Sequence, residues 1–307
     1  MARDEIAPGC DLGRTRGYVL DYKPYAKTRD LLDQAQTVLD EYRAYWPLTC
    51  RQIFYRLVGA YGYDKSEAAY GRLCKHLANA RRARLIPFEA IRDDGVTTYR
   101  LDHFDDRDAF LRHVRHMGER YTRNKLAGQD LHIEVWCEAA GMLPQLDSVA
   151  APFSVRVYSS GGYNSLTAKK DLADRIVCIE KPAIILHLGD FDPSGVNIFD
   201  SVAEDVAAFV EADRPHGLVT VNFYRIALTR AQVAAYDLPT APPKATDSRS
   251  KTWDGGTCQL EALPPDVIAG ILKDALWQHI DPEKYLADCE AEKADRDEIN
   301  RLLLPAR

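Results

Sequence analysis

Several features that would place a chain in a class at sight are missing here. The seven cysteines (Cys10, Cys50, Cys74, Cys137, Cys178, Cys258 and Cys289) are odd in number, scattered and without a CxxC pair. That argues against a disulfide framework and against a structural zinc site. The opening residues, MARDEIAPGC, lack the apolar core of a signal peptide, and the longest apolar runs, such as AIIL at 183–186, are far too short to span a bilayer. The sequence contains no internal repeat, no low-complexity block and no GxxxxGK[ST] loop, so no ATP-binding module is visible. A reduced, cytoplasmic, globular protein without membrane contact is expected.

What is present is a chain of 307 residues, long enough for two domains, with 46% hydrophobic and 28% charged residues. Its net charge of −6 argues at first against a nucleic-acid partner. The distribution argues for one. Between Arg51 and Arg92 nine basic residues (Arg51, Arg56, Lys65, Arg72, Lys75, Arg81, Arg82, Arg84, Arg92) face three acids (Asp64, Glu67, Glu89), a net of +6 that leaves −12 for the rest. Local asymmetry of this kind attracts a phosphate backbone, although a solvated helix face fits the same charges equally well.

The chain reads as two parts. Residues 29–45 place Leu31, Leu32, Ala35, Val38, Leu39 and Tyr42 at helical spacing, and Pro47 ends that helix. Thr49 and Gln52 have the spacing of a capping box, opening a helix through Val58 that stops at Gly59 to Gly62. A third helix over 66–83 aligns Ala69, Tyr70, Leu73, Leu77 and Ala80. LIPFEAI, an Asp-Asp-Gly turn at 93–95 and the β-prone VTTYR then complete the element order of a winged helix, a fold that lays a helix on DNA. The expected organisation is a helical winged-helix domain over 1–105, a connecting helix over 106–128 and a parallel-sheet α/β domain over 129–307. In that last part the strands LHIEVWCE, FSVRVYS, AIILHLGD and LVTVNFYRI alternate with helical stretches.

Sites in open parallel sheets form at the carboxyl ends of strands. Glu138 ends the first strand, and Asp190 and Asp192, in GDFDPSG, end the third. Three carboxylates gathered there repel one another unless a cation joins them, and an all-oxygen set suits Mg²⁺ or Mn²⁺ rather than zinc. A bare DxD before Pro-Gly is more often a turn and helix cap. Glu138 on a separate strand end and the glycine pair Gly161-Gly162 favour the metal reading, since glycine lets backbone approach a phosphate closely.

A strand-final Glu, a glycine turn after the second strand and a DxD after the third together resemble the Toprim domain of topoisomerases, primases and some nucleases. The versions GGYNS and GDFDPSGVNI are most similar to the A subunit of type IIB topoisomerases (topoisomerase VI) and its meiotic double-strand-break counterpart, over roughly residues 129–226. The resemblance extends to Arg51-Gln52-Ile53-Phe54-Tyr55, which fits that family's motif for a DNA-cleaving tyrosine. It implies Tyr55 as nucleophile, Arg51 as its phosphate-facing partner, a homodimer, double-stranded DNA as substrate and a separate ATPase subunit for a complete machine. Arg51 and Tyr55, at i and i+4, share a face away from the stripe Ile53, Phe54, Leu57 and Val58. A phenol with an ordinary pKa of about 10 needs such a cation nearby. Arg56, Arg72, Lys75, Arg81, Arg82, Arg84 and Lys251 are the expected DNA contacts, with Lys244 and Arg249 beside Lys251; Glu261 reads as a surface-loop residue first and as an addition to the acidic site second. Two departures stand out: Ala139 replaces the Lys that often follows the Toprim Glu, and RLVGAYGYDKSE is similar to small phage- and plasmid-type relatives. Tyrosine transesterification is therefore the leading expectation. A water-using Toprim endonuclease, of the kind found in phage and plasmid defence, is the first alternative, and a non-catalytic DNA-binding module the second.

Overall fold

The computed structural model describes Val19 and residues 21–92, 103–159, 166–214, 219–243 and 253–303. The chain divides into two compact units, Met1–Arg92 and Asp93–Arg307.

In the first unit three helices pack on one another: α1 (Ala26–Glu41), α2 (Cys50–Tyr61) and α3 (Glu67–Arg82). α1 buries Leu32, Ala35, Val38 and Leu39. α2 begins with the expected capping box: Gln52 N–H donates to Thr49 Oγ1 at 3.1 Å, and Thr49 N–H to Gln52 Oε1 at 2.8 Å. Gly59 does not stop α2. The helix runs on to Tyr61 and ends at Gly62, whose φ of 65° is the left-handed conformation that closes a helix without a Cβ penalty. Ser66 caps α3, which buries Ala69, Leu73, Leu77 and Ala80. Strand β1 (Leu48–Thr49) pairs in parallel with β2 (Ile91–Arg92). The Asp93–Gly95 turn and the strand expected after it lie outside the described residues.

In the second unit α4 (Arg107–Glu119), capped by Asp106, is not an isolated connector. It packs along the last helix, α10 (Pro282–Leu303). A Cβ on Gly118 would come within 2.7 Å of Leu303 Cδ1. The expected four strands all form: β3 (His132–Cys137), β4 (Arg156–Ser159), β5 (Ala183–Leu188) and β6 (Val221–Ala227). They make one parallel sheet in the order β4-β3-β5-β6. Helices α6 (Leu166–Ile179) and α7 (Pro193–Asp213) cover one face, where Leu172, Ala173, Ile176, Val202, Val206 and Val210 pack on Trp136, Ala183 and Ile185. On the other side α5 (Leu143–Ala150) packs against β4, and α9 (Pro265–Trp277) against α5 and β6. α9 and the short α8 (Arg230–Ala235) have no counterpart in the sequence reading. Among the described residues no helix is long and apolar enough to cross a membrane.

One carboxylate holds the covered face together at its centre. Glu134, fully buried on β3, accepts two hydrogen bonds from Arg175 of α6 at 2.8 and 2.9 Å and one from Trp136 Nε1 at 3.1 Å, with His132 Nε2 also at 3.1 Å. Burial pushes its pKa up, but Arg175, His132 and Trp136 outweigh burial and hold it at about 2. Stability from this group is therefore present above its ordinary value of 4.5 and lost as pH falls toward 2. Glu134→Ala leaves the half-buried Arg175 guanidinium without its carboxylate and is expected to cost about 1.5–3 kcal/mol at neutral pH. Urea unfolding at pH 7 and pH 3 checks this: the wild type loses more stability on acidification than the variant.

Candidate active site

β3 and β5 lie side by side where the strand order reverses. The chain leaves β3 toward β4 on one side and returns to β5 on the other, opening a crevice at the carboxyl ends of these two strands. Glu138 stands at that end of β3, and its N–H donates to Leu188 O at 3.0 Å. After β5, Gly189 exchanges hydrogen bonds with β6 and its exit: Gly189 N–H to Ala227 O and Leu228 N–H to Gly189 O, each 2.8 Å. The loop is thus tied down before it reaches the two aspartates. Asp192 is the N-cap of α7, its Oδ1 accepting Gly195 N–H at 2.6 Å. Asp190 Oδ1 accepts Leu260 N–H at 2.9 Å from a turn seventy positions downstream.

The space among these groups requires glycine. A Cβ on Gly189 would lie 2.9 Å from Glu138 Oε2 and 2.7 Å from His187 Cε1. A Cβ on Gly195 would lie 2.9 Å from Asp190 O, 3.0 Å from Glu138 Oε2 and 3.3 Å from Asp192 Oδ1. Glu138 and Asp192 therefore converge on the same glycine. Burial pushes the Glu138 carboxyl above its ordinary range, and the charges of Asp190 and Asp192 push it further; the Asp190 N–H and the Arg225 guanidinium pull the other way.

No protein-family model matches the chain, and no curated protein matches it. The site must be read from its own chemistry. Among the described residues no three His, Cys, Asp or Glu side chains form a ready-made metal cage. The donor set still fits magnesium, which is usually held by one or two carboxylates and completes its shell with water and phosphate oxygens. Glu138 and Asp192, converging on Gly195, supply such a pair.

Two neighbours of the site, Arg225 and His187, escaped the sequence reading, and a third, Glu261, was placed first on a surface loop. Glu261 is not a surface-loop residue: it is 6% exposed in the turn Leu260–Ala262, next to the amide that holds Asp190. After burial itself, the charges of Glu261, Asp190 and Glu138 push the Cys137 thiol up, so Glu261 lies within electrostatic reach of the same thiol as the other two acids. Arg225, from β6, is the cation beneath the acids. His187 is buried with its ring 4.5 Å from Phe199, and burial followed by Arg225 lowers its pKa to about 3. It is therefore a neutral ring in the floor of the crevice.

The first unit treats its expected residues unevenly. Tyr55 does not share an outward face with Arg51. It is 7% exposed, with its ring edge-on to Phe54 at 5.3 Å, whereas Val58 is only half-buried. Arg51 is exposed and lies over the Tyr70 ring at 5.8 Å, and a hydrogen bond with it lowers the Tyr70 pKa, which burial first and Cys74 next raise to about 12. Arg72, Lys75 and Arg84 are exposed; Arg56, Arg81 and Arg82 are half-buried, with Arg81 over Phe88 at 4.7 Å. Gly161, Gly162 and Lys251, with Lys244 and Arg249, lie outside the described residues.

The Gly195 contacts set a direct expectation. Gly195→Ala forces Asp190 O and Glu138 apart and lowers stability by about 1–3 kcal/mol. Gly71→Ala, where a Cβ meets nothing within 4 Å on α3, raises stability by about 0.5–1 kcal/mol. Thermal midpoints of the two variants should move in opposite directions.

Proposed function

We propose that this protein cleaves DNA strands at Glu138, Asp190 and Asp192 with the help of Mg²⁺ or Mn²⁺. The observation that carries the reading is the convergence of Glu138 and Asp192 on Gly195 at the point where the strand order reverses, with Asp190 fixed beside them. A bound divalent cation there would neutralise charge on phosphate oxygens as a strand oxygen departs. Glu138 and Asp192 are the residues that would hold it, while Leu260 N–H orients Asp190.

DNA as the substrate is supported by α3. Opposite its buried stripe, α3 presents Arg72 and Lys75 among the small residues Ala68, Gly71 and Ala78, a smooth basic surface suited to a groove and its phosphates. The homodimer and the ATPase partner belong to the topoisomerase VI resemblance and form part of this reading only through it.

Burial of Tyr55 favours water over tyrosine as the nucleophile: the water oxygen bonds to phosphorus, the opposite P–O bond breaks, and the departing oxygen takes a proton. Transesterification by Tyr55 is the second reading, favoured by the Arg51–Tyr55 motif on α2. It requires the phenol to leave its buried position, forming a phosphotyrosine bond in place of the broken strand.

Supercoiled plasmid incubated with Mg²⁺ or Mn²⁺ and then denatured separates the two. Cleavage without a covalent adduct, retained in Tyr55→Phe and lost in Asp190→Ala, is the expected result. An adduct lost in Tyr55→Phe establishes the second reading, and DNA binding without metal-dependent cleavage by any variant leaves only a binding module. Because Glu138 must lose a proton held above its ordinary range, Mn²⁺ affinity is expected to rise with pH through that raised pKa. Titrations between pH 5 and pH 8 measure the trend. On α3, Arg72→Ala and Lys75→Ala should each reduce the salt dependence of DNA binding by about one phosphate contact.

A further inference from the structure

The last complete row of the sheet on the α6–α7 side is Tyr158, Trp136, His187 and Arg225, one residue from each strand. The row below it on that side is Arg156, Glu134, Ile185 and Phe223, with Arg175 of α6 paired to Glu134. Above it lie Glu138 and the Gly189–Gly195 loop. Arg225 is thus the one member of this row that carries charge, since the His187 ring is neutral.

Immediately after Arg225 the strand loses register: His187 pairs with Arg225, but Leu188 pairs with Ala227, so Ile226 is an extra residue. A bulge of this kind bends the strand and re-aims the neighbouring side chain. Arg225 then reaches across the strand ends instead of lying along the sheet. Its Nη2 donates to Gly189 O at 3.0 Å and to Asp190 O, its Nη1 to Gly195 O at 3.4 Å, and its Nε to Leu228 O at 3.1 Å. All four acceptors are backbone carbonyls. Three belong to the loop and helix start that present Asp190 and Asp192, and the fourth to the exit of β6.

We propose that Arg225 is the positioning residue of the acidic site: by gathering the carbonyls of Gly189, Asp190, Gly195 and Leu228 it fixes the loop so that Asp192 meets Glu138 at one cation-binding edge, with Asp190 beside them. The cation-binding part rests on the function proposed above; the loop-fixing part does not. A guanidinium suits the task because its planar fork offers five donors at fixed angles, which a single ammonium cannot reproduce. The alternative role is a fixed positive charge that merely offsets the acids. The two roles differ in sign. A mere counter-charge competes with a bound cation, so removing it strengthens cation binding. A positioning residue supports the ligands, so removing it weakens binding even though the competing charge is gone. Partners of metal ligands typically contribute about 10–100-fold to affinity.

The experiment uses the full chain as wild type, Arg225→Lys, Arg225→Met and Asp192→Asn. Mn²⁺ binding is followed by loss of the free-ion electron paramagnetic resonance signal, and amide hydrogen exchange is followed over residues 189–196 without metal. Arg225→Lys keeps the charge and is expected to weaken Mn²⁺ binding about tenfold or more, with Arg225→Met at least as weak and Asp192→Asn reduced as the control. In the metal-free protein Arg225→Lys should speed exchange at Phe191 and Gly195 while exchange in β3 and β5 stays unchanged. Mn²⁺ affinity in Arg225→Lys within twofold of wild type, or tighter binding by Arg225→Met, overturns the positioning role. Unchanged exchange over 189–196 in Arg225→Lys overturns it independently of any metal. Faster loop exchange in Arg225→Lys, with no Mn²⁺ binding even by wild type, retains the loop-fixing role and overturns the cation site instead. If Arg225→Met fails to fold, the charge-conserving variant still decides.

Discussion

Carboxylates gathered at one end of a sheet repel one another, and much of the local structure of the second unit consists of groups that oppose that repulsion. Two like charges about 4 Å apart at intermediate dielectric repel by roughly 4 kcal/mol. Against this the fold sets the Gly195 and Leu260 amides on Asp192 and Asp190, the Asp190 amide on Glu138, and a guanidinium beneath. Glycine at 189 and 195 allows the acids to come close, and the ties to β6 keep the loop from springing open. On the function proposed above, the repulsion these groups leave is what a bound cation would relieve.

Much of this was legible in the sequence, because much of it is local. The Thr49–Gln52 capping box needs only four residues, and all four strands announce themselves as short apolar runs between turn residues. Glu138, Asp190 and Asp192 were legible as strand-end acids because strand ends can be counted along the chain. Arg225 was not. In VNFYRIA it looks like any outward-facing strand residue, and its role depends on which strand lies beside β5 and on one extra residue in β6. The surface-loop reading of Glu261 failed for a related reason: a glutamate between two turns looks exposed until the turn is seen hydrogen-bonded to Asp190.

Tyr55 shows a different limit. A single helical stripe describes a helix with one packed side, whereas α2 packs against both α1 and α3 and buries Gln52, Ile53, Phe54, Tyr55 and Leu57. Two packed sides widen the buried arc until it takes in a residue assigned to the outer face. The motif and the packing thus pull toward different chemistries, and the difference between them is whether a phenol must move before it can react.

The hydrogen bond from Leu260 to Asp190 has a bearing on how this unit could be dissected. The sheet and all three strand-end acids are complete by residue 227, so a fragment ending there would look self-sufficient in sequence. It would lack the amide that orients Asp190 and the antiparallel Phe191–Cys258 bridge that brings that amide into place. The smallest piece able to reproduce this site is therefore defined by a turn near residue 260, well beyond the last strand.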